Sequence, residues 1–535
     1  MTPTPQRRPA LAVPALTALA LALGACGSGD GGAASGAPVA GGTLTFAVGS
    51  DAGCVDPQQV GSNDTIYSTR QLVDSLTDQD PATGKIVPWL ATSFEVNKAA
   101  TEFTFHLRPG VTFSDGSPLT AQVVKDNFDA VPKLGARAVL STQYLAGYAG
   151  TDVVDEHTAR VRFKQPNAQF LQASSTFSLG LVSSASTRRT PEQRCTQGVA
   201  GSGPFTLASY VPNQAITLAK RKGYGWGSSL WKKTGEAYLD RLVFKIVPES
   251  GVRTGSLQSG QVDAIGSVGR ADEAALKGAG VRLLSRANPG LVFNVGLNNS
   301  RPLFRDPNVR RAILAAIDRR QIADTVFPTG TRPATSVLAH TTPGYADLGT
   351  LLAADRARAA ALLDGAGWKP GPDGIRAKDG AKLSFAVSWA PVAATNQPAL
   401  ELVQQQLKAV GVQVELKQIQ VAQLTRLQQS GDYDALFGNL TRADPDILRG
   451  TFSTKGANTY KLAPSALDGL LDRQAATLDA DERAGYVKQA QETLVRDAYV
   501  APVVELQTEL GVAKKVHDLD FEASSRVQLH DTWIG

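Results

Sequence analysis

The feature that most constrains the fold is the segment 88–128, in which strand, turn and helix signals follow one another closely. In residues 102–107, phenylalanine and leucine alternate with polar residues, which is the period of a half-buried β-strand. Residues 108–118 then carry Pro-Gly and Asp-Gly pairs, which favour tight turns. Thr120 is the expected N-cap of a helix whose apolar residues recur at i, i+4. The segment therefore predicts a β-hairpin packed on a helix.

The order of fixed residues in the same segment also resembles the signature of a known family. Pro-Trp-Leu-Ala-Thr-Ser-Phe-Glu-Val at residues 88–96 precedes Phe-Thr-Phe-His-Leu-Arg-Pro-Gly-Val-Thr-Phe at residues 103–113 and Asp-Gly-Ser-Pro-Leu-Thr-Ala at residues 115–121. This order is similar to that of the extracellular solute-binding proteins of family 5, the peptide-, opine- and nickel-binding subunits of ABC importers. Nearly every fixed position of the signature is matched.

Later segments resemble the same family. Residues 201–205 are similar to its Gly-Thr-Gly-Pro-aromatic entry to a strand, and residues 253–263 are similar to its Arg, Leu, Gly and Asp pattern. Residues 304–319 match a further block, in which Asp306 is the expected N-cap and a proline is the first helical residue.

The resemblance, which covers most of residues 43–535, implies an α/β, two-lobe fold of the periplasmic-binding-protein type (type II, large class), with mixed sheets, flanking helices and a hinge of two crossings. The alternation of strand and helix patterns favours α/β lobes as well. Lobe I would take residues 43–288 and 503–535, with an extra subdomain at 77–180. Lobe II would take residues 289–502. A ligand would bind between the lobes and be enclosed on closure.

The first residues carry an export signal. Arg7 and Arg8 precede an apolar run of about 15 residues, which is short for a membrane span. Residues 1–25 are therefore predicted to be a signal peptide. The ending Leu-Gly-Ala-Cys resembles the bacterial lipoprotein box, which implies lipidation of Cys26 and an anchor on the extracytoplasmic side of the cell membrane, in a periplasm or on an outer surface. Residues 26–42 read as a flexible tether. The alternative is an ordinary signal peptide followed by a coincidental cysteine.

Composition and charge restrict the class only coarsely. The 535 residues are 42% hydrophobic and 19% charged, which is enough material for two or three packed domains. The net charge is +5, and two of these charges lie in the predicted signal peptide. Because no basic run is interleaved with aromatic residues, no nucleic-acid partner is predicted.

Two cysteines remain after Cys26, and they stand at positions 54 and 195. In an exported protein an isolated pair is most simply a disulfide, so Cys54 and Cys195 are predicted to be bonded. The alternative is two buried free thiols.

The sequence shows no catalytic or metal-binding motif. The histidines stand alone, at positions 106, 157, 340, 517 and 530. None is spaced for a zinc site, and there is no phosphate-binding loop and no Gly-x-Ser-x-Gly elbow. We therefore predict a binding protein without a cofactor, a metal or a catalytic residue. An unrecognised secreted hydrolase is the alternative from another class.

Specificity is expected in residues 432–446. In the family's dipeptide and oligopeptide binders, the corresponding loop follows Gly-Trp and carries an aspartate that takes the peptide's α-ammonium. Here Asn439 stands at the tryptophan position, and Thr441 and Arg442 stand where an acid is expected. Arg442 would favour a carboxylate or another oxyanion, because its planar fork pairs with such groups. The alternatives are that Asp444 serves as the acid and that Arg442 is a solvated loop charge.

Other positions beside strand ends are weaker candidates for ligand contact, and for each a packing role is the alternative. They are Val55, Asp56, Phe293, Asn294 and Trp389.

The prediction is thus a monomeric, lipid-anchored solute-binding subunit of an ABC importer, which delivers its ligand to permease subunits driven by ATPase subunits. Family precedent makes a peptide the leading ligand. A non-peptide anionic solute or a metal chelate (nickel, opine or siderophore-like) is the first alternative, and a binding protein that signals to a sensor is another.

Overall fold

The computed structural model describes residues 37–535. The predicted signal peptide, Cys26 and most of the predicted tether lie outside these residues. Within residues 37–535, no helix combines the length and the hydrophobicity that a membrane span requires.

Short strands and helices alternate along the described chain. The strands, in chain order, are β1 (Thr43–Val48), β2 (Thr77–Gln79), β3 (Ile86–Pro88), β4 (Ala91–Val96), β5 (Glu102–Leu107), β6 (Tyr148–Asp155), β7 (Thr158–Phe163), β8 (Phe205–Val211), β9 (Ala215–Lys220), β10 (Arg241–Ile246), β11 (Ala264–Ile265), β12 (Arg282–Ala287), β13 (Gly290–Leu297), β14 (Lys369–Pro370), β15 (Arg376–Lys378), β16 (Ala381–Lys382), β17 (Ser384–Trp389), β18 (Gln413–Gln418), β19 (Ala435–Thr441), β20 (Val500–Val504), β21 (Gln507–Val512), β22 (Val516–His517), β23 (Asp520–Phe521), β24 (Val527–Gln528) and β25 (Trp533–Ile534).

The α-helices are α1 (Asn63–Thr69), α2 (Ala121–Ala130), α3 (Val139–Tyr144), α4 (Phe170–Ala173), α5 (Ser184–Thr187), α6 (Pro191–Gln197), α7 (Ser250–Gln258), α8 (Arg270–Gly278), α9 (Pro302–Arg305), α10 (Pro307–Ala316), α11 (Arg319–Val326), α12 (Arg356–Gly365), α13 (Asn396–Lys408), α14 (Val421–Ser430), α15 (Ile447–Phe452), α16 (Ala466–Ala476) and α17 (Ala480–Arg496).

A seven-stranded sheet has the order β12-β21-β11-β1-β10-β9-β8. Its central strand β1 runs parallel to β10 and β11, with Phe46 in register with Phe244 and Ala264. The rings of Phe46 and Phe244 stack at 5.7 Å between centroids in the core. Strand β21, near the end of the sequence, lies between β11 and β12, so the last residues of the chain complete the sheet that the first strand begins.

A five-stranded sheet has the order β18-β17-β19-β13-β20. Strand β13, which pairs with β19 on one side and β20 on the other, is buried along its whole length. Helix α10 packs in the same core, and Asp306 caps it by accepting a hydrogen bond from the Asn308 backbone N–H at 2.8 Å. The predicted N-cap is therefore confirmed.

A four-stranded antiparallel sheet has the order β4-β5-β7-β6, and its strands β4 and β5 come from the segment 88–128 that most constrains the fold. The predicted strand at residues 102–107 is β5, and Phe103 and Phe105 point into a core that also holds Phe128 of α2. Thr120 occupies the N-cap position of α2, although its side chain makes no capping hydrogen bond. The strand packed on the helix is confirmed, but the predicted hairpin is not: β5 pairs with β4 before it and with β7 after it, and residues 108–118 form turns with one isolated bridge between Thr112 and Pro118 instead of a returning strand.

The chain passes between the seven- and five-stranded sheets twice. It leaves the first after Ala287 and enters the second at Gly290, and it returns between Val504 and Gln507. A disulfide joins Cys54, after β1, to Cys195 in α6. The Val55 N–H donates to the Cys195 carbonyl at 3.0 Å beside it.

Candidate functional site

Arg442 joins two parts of the molecule that are far apart in sequence. It directly follows β19 of the five-stranded sheet, and its side chain is only 3% exposed. Its Nη2 donates to Gln143 Oε1 at 2.6 Å and its Nη1 donates to Gln169 Oε1 at 3.4 Å. The guanidinium lies 4.5 Å from the ring centroid of Tyr144. These partners come from α3 and from the residues before α4, beside the four-stranded sheet.

The backbone around Arg442 is fixed by a close approach to the first crossing. The Arg442 N–H donates to the Pro289 carbonyl at 3.0 Å. Gly290 has a φ of +111°, and a Cβ placed there would meet Leu440 O and would lie 2.6 Å from Arg442 N. Position 290 therefore requires a glycine, because a side chain there would push the Arg442 backbone away.

The charge of Arg442 is not matched by an acid. None of the ion pairs within residues 37–535 includes it, and its Nε is buried without a hydrogen-bond partner. Arg319 is equally buried, but it donates to four backbone carbonyls, those of Leu314, Ile317, Leu352 and Pro502. Because a buried cation is costly unless it is paired, Arg442 is chemically suited to receive an oxyanion.

Asp444, the acidic candidate in the same loop, is already paired. Its two oxygens accept from Arg483 at 2.6 and 2.9 Å, in the two-pronged geometry that arginine and carboxylate favour. Asp446 is held in the same way by Arg449. Asp444 and Asp446 therefore stabilise the conformation of this loop through their own ion pairs.

Thr441 belongs to a short chain of polar contacts at the crossing. Asn288 Nδ2 donates to Thr441 Oγ1 at 3.3 Å, and Thr508 Oγ1 donates to Asn288 Oδ1 at 2.7 Å. Asn439 is half-buried and, two residues earlier in β19, shares the face of Thr441. The structure thus brings Asn439, Thr441 and Arg442 to one region, at the end of β19 and directly after it.

Val55 and Asp56 lie beneath the disulfide. Val55 is fully buried, and Asp56 accepts from Arg194 Nη2 at 3.1 Å while its other oxygen lies 2.8 Å from Arg194 Nε. Asp56 also accepts from the Gln58 N–H at 3.0 Å and from Gln59 Nε2 at 2.7 Å. None of these contacts involves Arg442.

Phe293, Asn294 and Trp389 lie in the five-stranded sheet. Phe293 stacks on Phe437 with centroids 5.4 Å apart. Asn294 donates to backbone carbonyls of its own sheet and accepts from Tyr460 Oη at 3.1 Å. Trp389 is 4% exposed, and its indole Nε1–H is buried without an acceptor. Of the three, Trp389 retains an unused polar group.

Four residues of this region carry no recognisable signal in the sequence: Gln143, Tyr144, Gln169 and Arg526. Arg526 is 5% exposed, its Nη1 donates to the Ser524 carbonyl at 3.1 Å, and its guanidinium lies 5.4 Å from the Phe177 ring centroid. Burial lowers the pKa of Arg526, and the charge of Glu522 opposes that shift. None of these residues belongs to a motif, because their neighbours are set by tertiary contacts.

A groove of about 380 Å³ lies elsewhere on the molecule. It is bordered by Trp231, Arg286 and Asp520, and by the ion pair of Arg70 with Glu522 at 2.9 Å. Its lining includes Glu522, whose charge acts on Arg526, but it does not include Gln143, Tyr144, Gln169 or Arg442. Within residues 37–535, no three His, Cys, Asp or Glu side chains are grouped closely enough to hold a metal ion.

Comparison with known proteins gives a family match, similar curated proteins and similar solved structures. The family model "Bacterial extracellular solute-binding proteins, family 5 Middle" matches residues 85–460. The chain is 25% identical over 498 residues to a probable D,D-dipeptide-binding periplasmic protein of Escherichia coli, covering 89% of this chain and 91% of that one. It is 26% identical to heme-binding protein A of Haemophilus influenzae, covering 82% of each.

The crystal structure of NikA from Brucella suis in complex with Fe(III)-EDTA superposes with a TM-score of 0.79 at 22% identity, over 92% of this chain and 100% of that one. The expected α/β two-lobe fold of the periplasmic-binding-protein type is therefore confirmed.

Proposed function

The chain belongs to the bacterial extracellular solute-binding proteins of family 5, and from this membership we propose that it is a lipid-anchored binding subunit that captures a peptide by closing two lobes around it. Proteins of this family bind solutes for ABC importers and are not enzymes as a class. The proposal adds the ligand class, the anchor and the movement to that function.

The contact of Arg442 with Gln143 and Gln169 carries the proposal. A buried cation that meets only neutral side chains from a distant part of the chain is unusual, because burial without a counter-charge is costly. It is explained if this surface is built to receive a ligand. Lobe I (43–288 and 503–535, with the subdomain 77–180) and lobe II (289–502) would then close over it.

Peptides are the leading ligand class because one of the curated relatives is a probable D,D-dipeptide-binding protein and covers most of the chain. The heme-binding relative has about the same sequence identity to this chain as the dipeptide-binding relative, yet it is named for a different ligand. Asp444 is engaged by Arg483, so the family's contact with a peptide α-ammonium is unsupported here, while Arg442 suits a carboxylate. A non-peptide anion or a metal chelate is the alternative.

We propose that three further residues contact the ligand in the same site. Thr441 and Asn439 would contribute polar contacts from β19, and Trp389 would offer its free indole N–H. We propose further that Cys26 carries the lipid anchor, since two or more acyl chains hold a protein stably on a membrane. Permease and ATPase subunits would be its partners, and the protein itself would act as a monomer.

The test is native mass spectrometry of the mature protein, expressed in its own host with Cys26→Ser. A ladder of bound masses that match short peptides is the expected result. One discrete non-peptide mass would replace the peptide class by the alternative. The same variant tests the anchor, because wild-type protein should fractionate with membranes and Cys26→Ser should not. Equal fractionation of the two would contradict the role of Cys26.

A further inference from the structure

The groove of about 380 Å³ beside the Arg70–Glu522 ion pair is formed by one proposed lobe alone. Its lining residues lie in the ranges 70–81, 230–231, 285–286 and 518–531, all of which belong to the proposed lobe I. None of the described lining residues lies in 289–502, the proposed lobe II. The groove is therefore separate from the proposed cleft between the lobes, and its volume is typical of pockets that bind small molecules.

Carboxylates outnumber cations along this groove. Five acids line it, and they are Asp78, Asp518, Asp520, Glu522 and Asp531. The two arginines of the lining are engaged, because Arg70 pairs with Glu522 at 2.9 Å and Arg286 donates to the Pro81 carbonyl at 2.8 Å. Lys232 pairs with Asp518 from an exposed position. Five negative charges against three positive ones leave a formal charge of −2, which attracts a cation.

Asp78 is a buried acid of the lining without a paired cation. Its side chain is 7% exposed, and its Oδ1 accepts from the Gln79 backbone N–H at 2.8 Å. Within residues 37–535, no cation lies within 4 Å of its carboxylate, since Arg70 pairs with Glu522 instead. Burial raises the pKa of Asp78, against the Ser228 hydroxyl and the charge of Arg70. A cationic group entering the groove would compensate this buried carboxylate.

Trp231 and Leu230 give the groove an apolar wall. The Trp231 ring is held in place by Trp89 and by His530, with centroids 4.9 and 4.5 Å away. Leu230 beside it is 37% exposed, so the wall is open to a ligand. The acids of the groove are spread along it, because no three acidic, His or Cys side chains in residues 37–535 are grouped closely enough for a metal ion. An apolar wall and dispersed acids suit an organic cation with a carbon chain.

We propose that this groove is a second binding site, which takes an alkylguanidinium or alkylammonium group with its charge at Asp78 and its carbon chain along Leu230 and Trp231. The exposed Asp520, which has no ion pair within residues 37–535, adds to the attraction at the rim. The site goes beyond the proposed function, because it belongs to one lobe and does not depend on closure.

The test titrates Cys26→Ser protein with n-butylguanidinium and with n-butylurea, its neutral counterpart of the same shape. Binding is followed by nuclear magnetic resonance at the indole N–H of Trp231, whose signal is assigned by its loss in Trp231→Phe. We expect n-butylguanidinium to shift this signal and to bind at least about tenfold more tightly than n-butylurea, as a hydrogen bond between charged groups allows. Equal affinity of the two probes, or no shift of the Trp231 signal, would overturn the proposal.

Asp78→Asn keeps the size of the side chain and removes its charge, so it should abolish the preference for n-butylguanidinium. Asp520→Asn, at an exposed position that folding does not require, should reduce the preference by a smaller factor. Asp324→Asn makes the same change at an exposed position of α11 outside the groove, and should keep the preference. An unchanged preference in folded Asp78→Asn would overturn the assignment of Asp78. If Asp78→Asn does not fold, an unchanged preference in Asp520→Asn would overturn the proposal.

The titration is repeated on protein that retains the solute with which it co-purifies from its own host. Because the groove is separate from the proposed cleft, n-butylguanidinium should bind the loaded and the emptied protein with the same affinity. Competition between the probe and the solute would place the probe in the cleft and overturn the proposal of a second site. Neither result alters the evidence for the proposed function, which the masses of the co-purified solute test independently.

Discussion

Two buried carboxylates, Asp56 and Asp74, are held in different ways. Asp56 faces Arg194 in a fully buried ion pair, so its charge is compensated by contact. Asp74 is also fully buried, but it accepts hydrogen bonds from Trp226 Nε1 at 2.9 Å and from Tyr224 Oη at 3.3 Å. Burial raises the pKa of Asp74 to about 7, against the opposing charges of Arg70 and Arg221.

The raised pKa of Asp74 predicts a specific dependence of stability on pH. In the unfolded chain an aspartate titrates near 3.9, so between about pH 4 and pH 7 the folded protein binds the proton more tightly. The stabilisation is complete below about pH 4 and is lost as pH rises through 7. Asp74→Asn should remove this dependence while keeping an acceptor for Trp226.

The measurement is urea unfolding of wild type and Asp74→Asn from pH 4 to pH 8. The free energy of unfolding of the wild type should fall relative to that of the variant by up to about 4 kcal/mol over this range. Parallel curves for the two proteins would contradict the raised pKa.

At the scale of elements, local signals predicted boundaries well. The sequence pattern predicts helices at residues 355–366, 398–410 and 481–497, and these are α12, α13 and α17, each within two residues at both ends. Gly367 and Gly411 follow the first two with φ of +85° and +86°, the left-handed conformation that ends a helix and favours glycine. These helix ends depend on residues adjacent in the sequence, so they can be predicted without knowledge of the fold.

The site could be predicted only in part, for a physical reason. Arg442 can be found from the sequence because a family pattern marks its loop. Its partners Gln143 and Gln169 come from residues nearly 300 positions earlier, and no local pattern connects them to it. Asp56 shows the reverse case, because a polar residue after a strand suggests a cleft, whereas Arg194 pairs with it beneath the disulfide.

Strands β13 and β19 carry a prediction about the position of Arg442. Gly290→Ala should cost about 2–3 kcal/mol, because a Cβ there would meet Leu440 O at a positive φ. It should also weaken ligand capture by displacing the Arg442 backbone. Gly438→Ala, in β19 itself, is the control, because a Cβ there meets nothing within 4 Å.

Chemical unfolding and ligand capture are measured on both glycine variants. Gly290→Ala is expected to lose stability and ligand capture. Gly438→Ala is expected to keep both near the wild-type values. Equal stability of the two would show that the close approach at Gly290 is unimportant.

At the scale of the whole molecule, hydrogen bonds across the proposed cleft add to the chain crossings that connect the two proposed lobes. The Ala168 N–H donates to the Ala475 carbonyl at 2.8 Å, next to the contact of Gln169 with Arg442. Within residues 37–535, the chain crosses between the seven- and five-stranded sheets at two places, residues 287–290 and 504–507. Two chain crossings are the kind of connection about which two lobes can hinge.

Closure is therefore expected to depend on the solute and on Arg442. Small-angle X-ray scattering of the Cys26→Ser protein should give a smaller radius of gyration with the co-purified solute than after its removal, because the ligand stabilises the closed arrangement by its own differential binding energy. Arg442→Gln in the same background should stay near the larger value at equal solute concentration, whereas Arg473→Gln, the control at an exposed position, should contract like the parent. A radius that does not change with solute would contradict closure, and full contraction of Arg442→Gln would show that another group draws the lobes together.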